Sequence, residues 1–411
     1  MTKIDELIRE LCPDGVEYVR LGTLCSLITK QTGFDYTKHI KARLLMEPAE
    51  NAVPYIQTKF FAGKNFNYQT DYYVPMDIVE QFPKITLDEK CILFSIVGAS
   101  IGNVGLFPGE HKCFLGGAIC VAKVLPQYDV DYIYYCVEAH NVQHQIRRKT
   151  KGAGQATITV EDIREFEIPL PPIEVQREIV RILDNFTDLT ADLTADLTAR
   201  QKQYAFYRNK LLTFGKTEGA RIERIPLGDI GSICMCKRIL KSQTNTVSGV
   251  PFYKIGTFGK EADAYISQET FNEYRSKYNF PKKGDVLISA AGTIGRTVVY
   301  DGKPAYFQDS NIVWIDNDES IVLNSYLRYC YELKPWKASE GGTIPRLYND
   351  NIAKAVIAVP SIEEQKRVVS ILDRFDSICN DLTSGLPAEI EARQRQYEYY
   401  RDKLLTFKER G

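Results

Sequence analysis

The sequence predicts an α+β protein: two duplicated mixed α/β domains, separated by two long antiparallel helices that form a coiled-coil rod with pseudo-twofold symmetry. Three observations predict it. The chain is written twice, the closely matched parts of the repeat are helical in pattern, and the less alike parts are rich in short strands. The stretch "IEVQREIVRILDNF" (173–186) returns as "IEEQKRVVSILDRF" (362–375), and "ARQKQYAFYRNKLLTF" (199–214) returns as "ARQRQYEYYRDKLLTF" (392–407). The two offsets are 189 and 193 residues, so the gap between the blocks is 4 residues shorter in the first copy. Weaker echoes keep the same order: "VEYVRLGTLCSLI" (16–28) with "IERIPLGDIGSIC" (222–234), "VPYI" (from 53) with "VPFY" (from 250), "LFSIVGASIG" (93–102) with "LISAAGTIG" (287–295), and "DYIYYC" (131–136) with "SYLRYC" (325–330). Chance does not preserve such an order, and a duplication does.

The first segment, residues 1–172, holds β-branched and aromatic runs such as "KCILFSIV", punctuated by glycine, and these read as strands joined by tight turns. "DYIYYCVEAHNVQHQIRRK" (131–149) reads as one helix between them, and "EFEIPLPP" closes the segment as a strand. Residues 173–214 read as a single long helix. Ile179, Leu183, Phe186, Leu189, Leu193, Leu197, Tyr204 and Leu211 recur at spacings of three, four and seven, with Pro171 and Pro172 before them and Gly215 after. At 1.5 Å per residue such a helix spans about 60 Å. Inside it, "TDLTADLTADLTA" (187–199) repeats nearly the same four letters. Residues 215–360 repeat the strand-rich pattern in "DVLIS", "RTVVY" and "NIVWI", and residues 361–411 repeat the helix, with a kink or break expected at "SGLP" (384–387).

Composition sets limits. A chain of 411 residues, 44% hydrophobic and 26% charged, supports two domains with real cores. The N-terminal "MTKIDELIREL" is charged throughout, and no apolar run reaches the 18 or so residues of a membrane span, so a cytoplasmic location is expected. Ten scattered cysteines without a C-x-x-C pair read as reduced thiols, mostly in cores. The net charge of −1 means that any grip on nucleic acid rests on local basic patches or on a partner's charge.

Catalytic motifs are missing. No G-x-x-x-x-G-K-[ST] loop is present, and "KGAGQAT" (151–157) follows a basic helical pattern rather than a strand. "LPPI" (170–173) lacks the polar residue and terminal aromatic of an amino-methyltransferase site. His140 and His144 share a helical face without the glutamate of a zinc-binding H-E-x-x-H pattern, and read as a surface pair. No catalytic residue, metal ligand or cofactor site is expected in this chain.

Two unlike domains, each followed by a near-identical long helix, resemble the specificity subunit of a Type I restriction–modification system over essentially the whole chain. The paired helices introduced by "PLPP" and "AVPS" carry the resemblance. The "TADL" repeat is similar to the spacers of one branch of that family, and "GTIGRTVVY" (292–300) is similar to segments of its target recognition domains. The resemblance implies a non-catalytic subunit that reads a bipartite, asymmetric target in double-stranded DNA. It implies two methylation subunits carrying S-adenosylmethionine, and restriction subunits using ATP and Mg, as partners. The two strand-rich segments become the first and second target recognition domains. A stand-alone DNA-binding or structural tether is the rival reading, and an enzyme with an unrecognised site the third.

Base edges favour Arg, Lys, Asn and Gln, whereas phosphates favour Lys, Arg and backbone N–H groups. The expected DNA contacts are Lys59, Lys64, Asn65, Arg147, Arg148, Lys149 and Lys151 in the first domain, and Arg238, Lys241, Lys254, Arg296 and Arg346 in the second. Tyr204, Phe206, Tyr207 and Arg208, echoed by Tyr397, Tyr399, Tyr400 and Arg401, divide between packing inside the chain and docking the methylation subunits. Leu189, Leu193 and Leu197 mark the spacer, where each four-residue unit adds about 6 Å and turns the helix by roughly 40° beyond a full circle.

Overall fold

The computed structural model of the chain describes residues 2–150, 156–214, 222–337 and 346–410. It divides into two units, one built from Met1–Leu193 with Ile390–Gly411 and the other from Thr194–Glu389.

In the first unit, Glu17–Arg20 pairs antiparallel with Glu167–Leu170, which brings the start of the domain to the foot of the long helix. Between these lies an antiparallel sheet in the order Cys25–Lys30, Ile119–Val124, Cys91–Ser95, Val104–Phe107. A second sheet runs Tyr73–Pro75, Ala52–Ile56, Cys113–Leu115, Thr86–Leu87, with its central pair parallel. Side chains on a strand alternate between faces, and both faces of the first sheet are covered. Ile92, Phe94, Cys120 and Ala122 therefore enter a core with the helix Val130–Glu138, while Cys91, Leu93, Ile119 and Val121 enter a separate core against the second sheet. That double burial is why "CILF" reads as a continuous apolar run rather than an alternating one.

The second unit repeats the plan. Glu223–Pro226 pairs with Val356–Val359, and one sheet runs Ser232–Cys234, Ile312–Asp316, Val286–Ser289, Thr297–Val299. Val286 and Ile288 point to one core, Leu287 to the other. Individual contacts recur as well: the Tyr132 hydroxyl donates to the Pro169 carbonyl at 3.0 Å, and the Tyr326 hydroxyl to the Ala358 carbonyl at 2.9 Å.

The helix Ile173–Thr213 is continuous over 41 residues, and its counterpart is broken into Ile362–Asn380 and Leu386–Leu404, as the "SGLP" segment predicts. Within each unit the two helical segments run antiparallel. In the first, Phe186 stacks on Tyr400 at 5.5 Å, while the Phe407 carbonyl accepts from Tyr18, beside the strand that leads into Ile173. In the second, Tyr207 stacks on Phe375 at 5.9 Å, and Leu212 shares a core with Val368.

One expectation is corrected. Residues 131–149 do not form a single helix: Val130–Glu138 and His140–Lys149 are separated at Ala139, whose ψ of 154° is extended. Alanine offers the new helix no side-chain cap, and the carboxylate of Asp402 supplies one by accepting from the His140 N–H at 3.1 Å.

Candidate nucleic-acid interface

Strand connectivity gathers several loops at one end of each domain. In the first unit, the turn after Cys91–Ser95 is held against the start of the neighbouring strand by the Ile96 N–H on the Ala118 carbonyl, and the Gly98 N–H reaches Ala156 at 3.3 Å. The Gln31 amide donates to the Leu115 carbonyl at 2.6 Å, and Gly117 N–H donates to the Tyr55 hydroxyl at 3.3 Å. Loops from four separate connections thus meet around Gly117. Gly116 is required there, because a Cβ would lie 2.2 Å from the Ile56 carbonyl oxygen.

The same end of the second unit is crowded with polar side chains. Leu347 N–H donates to Ala290, Arg346 donates to the Ser310 carbonyl at 3.2 Å, and Arg296 donates to the Phe258 carbonyl at 3.0 Å. Arg238 approaches Asp309 at 4.0 Å, and Ser310 is held at φ 57°, a left-handed conformation rare outside glycine. Arg238 and Arg346, expected from sequence as DNA contacts, meet at the Asp309–Ser310 turn, while Arg296, expected likewise, is held on the Phe258 carbonyl. Lys254 pairs with Asp263 at 2.9 Å, and exposed Lys241 lies in the short turn Lys241–Gln243.

The first-domain candidates are spread more widely. Arg147 and Arg148 are exposed in the last turn of His140–Lys149, with Lys149 half-buried beside them, and none of the three has an ion-pair partner among the described residues. Lys59 pairs with Asp71, and Asn65 is exposed on the short strand Asn65–Phe66. Lys64 is committed inside the unit: it bridges Asp131 at 3.0 Å and Asp184 on the long helix, with its ammonium 4.6 Å from the Tyr135 ring centre. Lys151 lies outside the described residues. His140 and His144 are exposed with stacked rings 6.4 Å apart. Among the described residues no cluster of His, Cys, Asp or Glu could hold a metal ion, and no helix is long and apolar enough to cross a membrane.

The aromatic segments of the two helices divide into an inner and an outer face. Tyr204 and Arg208 both reach Glu332, at 2.9 and 3.0 Å; Tyr397 donates to Glu138 at 2.5 Å, with Arg401 at 3.8 Å. Burial first, and then the adjoining carboxylate, pushes the Tyr204 and Tyr397 phenols above their ordinary range. The outer residues stand in solvent: Phe206 is 61% and Tyr399 62% exposed, each edge-on to its neighbour Tyr207 or Tyr400.

The model of the Type I restriction modification DNA specificity domain matches residues 13–200 and 221–392. The chain belongs to that family. A Haemophilus influenzae protein named as a type I restriction enzyme specificity subunit is 56% identical over 264 residues, 62% of this chain and 68% of that one. The EcoR124I/EcoR124II specificity subunit of Escherichia coli is 31% identical over 271 residues, 59% of this chain and 63% of that one. The same fold occurs in a chain solved in a study of assembly and conformational transition of the type I R-M system, with a TM-score of 0.62 at 18% identity, covering 96% of this chain and 98% of that one. The Type I S subunit of M. genitalium gives 0.53 at 15% identity, covering 95% and 96%. As a member of the family of DNA specificity subunits, the chain is non-catalytic.

Proposed function

We propose that this specificity subunit reads a bipartite, asymmetric DNA target with residues 1–172 and 215–360 as its two target recognition domains, and that residues 173–214 and 361–411 seat its partners. The observation that carries the reading is the duplication itself: the seating contacts to Glu138 and Glu332 are alike, while the loop-bearing ends differ. Two like helical surfaces suit two copies of one partner, so Phe206, Tyr207, Tyr399 and Tyr400 dock two methylation subunits. Those subunits carry S-adenosylmethionine, and restriction subunits using ATP and Mg join them, in the cytoplasm. Exposed Arg147 and Arg148 in the first domain, and Arg238, Arg296 and Arg346 in the second, contact the duplex. The partners' charge completes a grip that a net charge of −1 does not supply alone.

Co-expression with the neighbouring methylation and restriction subunits tests this. The expected result is a stable complex on size exclusion that methylates a two-part motif with unlike halves. In that complex, Arg147→Ala with Arg148→Ala should weaken binding about equally on all sequences and reduce the slope of log K against log salt by roughly 1 per lost phosphate contact. Failure to form the complex overturns the scaffold reading, and an unchanged slope overturns these phosphate contacts.

A further inference from the structure

The two domains share a strand register at their reading ends, and this exposes a difference between them. In the first, Phe114 and Leu115 pair in parallel with Tyr55 and Ile56; in the second, Tyr306 and Phe307 pair with Phe252 and Tyr253. Gln57 therefore stands where the second domain has Lys254, and Gly116 where it has Gln308. The second domain fills the place beyond the strand with Gln308, Asp309 and Ser310, and Gln308 Oε1 is already satisfied by the Ile255 N–H at 2.9 Å. The first domain has only Gly116, Gly117 and Ala118 there. It leaves a pocket of about 410 Å³ lined by Gln31, Phe34, Tyr36, Tyr55, Gln57 and Gly117.

The pocket has aromatic walls and polar groups inside. The Tyr55 hydroxyl accepts from the Gly117 N–H, and burial, with the neighbouring Tyr36 hydroxyl next, pushes its phenol up. Gln31 is fixed by its bond to the Leu115 carbonyl. The Gln57 carboxamide is different: its Oε1 is buried with no hydrogen-bond partner among the described residues. A buried acceptor without a partner is unfavourable, and because the Gln57 side chain as a whole is only half-buried, turning its carboxamide into the pocket exchanges that cost for a bond to a donating ligand. A glutamine amide pairs bidentately with adenine, accepting from N6 and donating to N7 in the major groove.

We propose that this pocket reads an adenine edge in the first half-site, with Gln57 as its specificity-determining residue, Gln31 holding the floor and Gly117 keeping the entrance open. This rests on the reading of residues 1–172 as a DNA-recognition domain. Gly117 has no left-handed backbone, and a Cβ there meets only Gln31 Oε1, at 3.4 Å, so a larger side chain enters the pocket without disturbing the main chain.

The test uses the complete complex with its methylation subunits. Methylome sequencing with the wild-type chain gives the motif, and duplexes substituted at each position are then compared with Gln57→Ala and Gly117→Leu, whose folding is checked by thermal melting. Discrimination should fall about tenfold to hundredfold at one adenine of one half-site in both variants, with the other half-site read as before. Unchanged discrimination at every position overturns the proposal, as does a loss spread over both half-sites. If Gln57→Ala does not fold, Gly117→Leu decides alone. A wild-type complex that methylates no two-part motif instead overturns the function proposed for the chain.

Discussion

Glu138 and Glu332 each gather a tyrosine and an arginine from a helical segment remote in sequence. Glu138 also accepts from Tyr134 at 2.9 Å, so three donors converge on one carboxylate. Glu138→Ala would strand two buried phenol groups and leave the Arg401 guanidinium with Asp402 alone, and should cost about 2–4 kcal/mol, against about 1 kcal/mol for Tyr397→Phe. Denaturant unfolding of both variants measures the difference, and equal costs would mean that Glu138 acts by packing alone. At this scale the sequence was only partly legible. The pattern Tyr-x-x-Tyr-Arg in both helices contains the tyrosines and arginines that meet Glu138 and Glu332, but these carboxylates lie 259 and 128 positions from Tyr397 and Tyr204 and no local signal names them. Lys64 is a similar case, exposed-looking in "FAGKNF" yet neutralised by Asp131 and Asp184. Gln57, the proposed adenine reader, stands opposite Lys254 once "VPYI" is aligned with "VPFY", but the expected contacts take Lys59, Lys64 and Asn65 from the loop beyond it and pass it over.

The long helix holds together differently along its length. Ile179 and Leu183 are fully buried, whereas Leu189 is 40% exposed. Leu183→Ala should therefore cost about 2–5 kcal/mol and Leu189→Ala under 1 kcal/mol, measured by thermal unfolding of the intact chain. Comparable losses at the two positions would show that the apolar stripe is buried uniformly. Periodicity announced the stripe but not this gradient, because spacing records which residues share a face and not what lies against it. The threonine hydroxyls of the repeat bond back into the helix, Thr190 to the Phe186 carbonyl and Thr198 to the Thr194 carbonyl, both at 2.9 Å, which satisfies them without stabilising the helix; packing keeps the poor helix formers helical. Arg200 adds an i,i+4 pair with Asp196 at 2.9 Å. The single helix expected over 131–149 failed for a tertiary reason, since Asp402 caps the second half from a distant part of the chain.

The duplication was the most legible property of the molecule, because it is written in the order of matched segments and needs no knowledge of contacts. The sheet order and the pairing of Glu17–Arg20 with Glu167–Leu170 were not, since strand neighbours depend on register across more than a hundred residues. Deleting Thr194–Leu197 removes one repeat from an uninterrupted helix, shortening it by about 6 Å and unwinding it by roughly 40° beyond one turn. The fold of each unit should survive, while methylome sequencing should show a changed number of base pairs between the half-sites. An unchanged spacing would mean that the helix does not set the separation.

The joints that seat the two readers use the same pair of side chains on the same kind of carboxylate, Tyr204 with Arg208 on Glu332 and Tyr397 with Arg401 on Glu138. The joints differ around that shared pair, through Tyr134 on Glu138 and Lys64 on Asp184 in the first unit, but the pair itself does not tell one reader from the other. On the proposed reading, the left-to-right order of the target is then a property of covalent order alone. Exchanging the loop-bearing ends would reverse the sentence read on the DNA while leaving every hinge of the binding as it was.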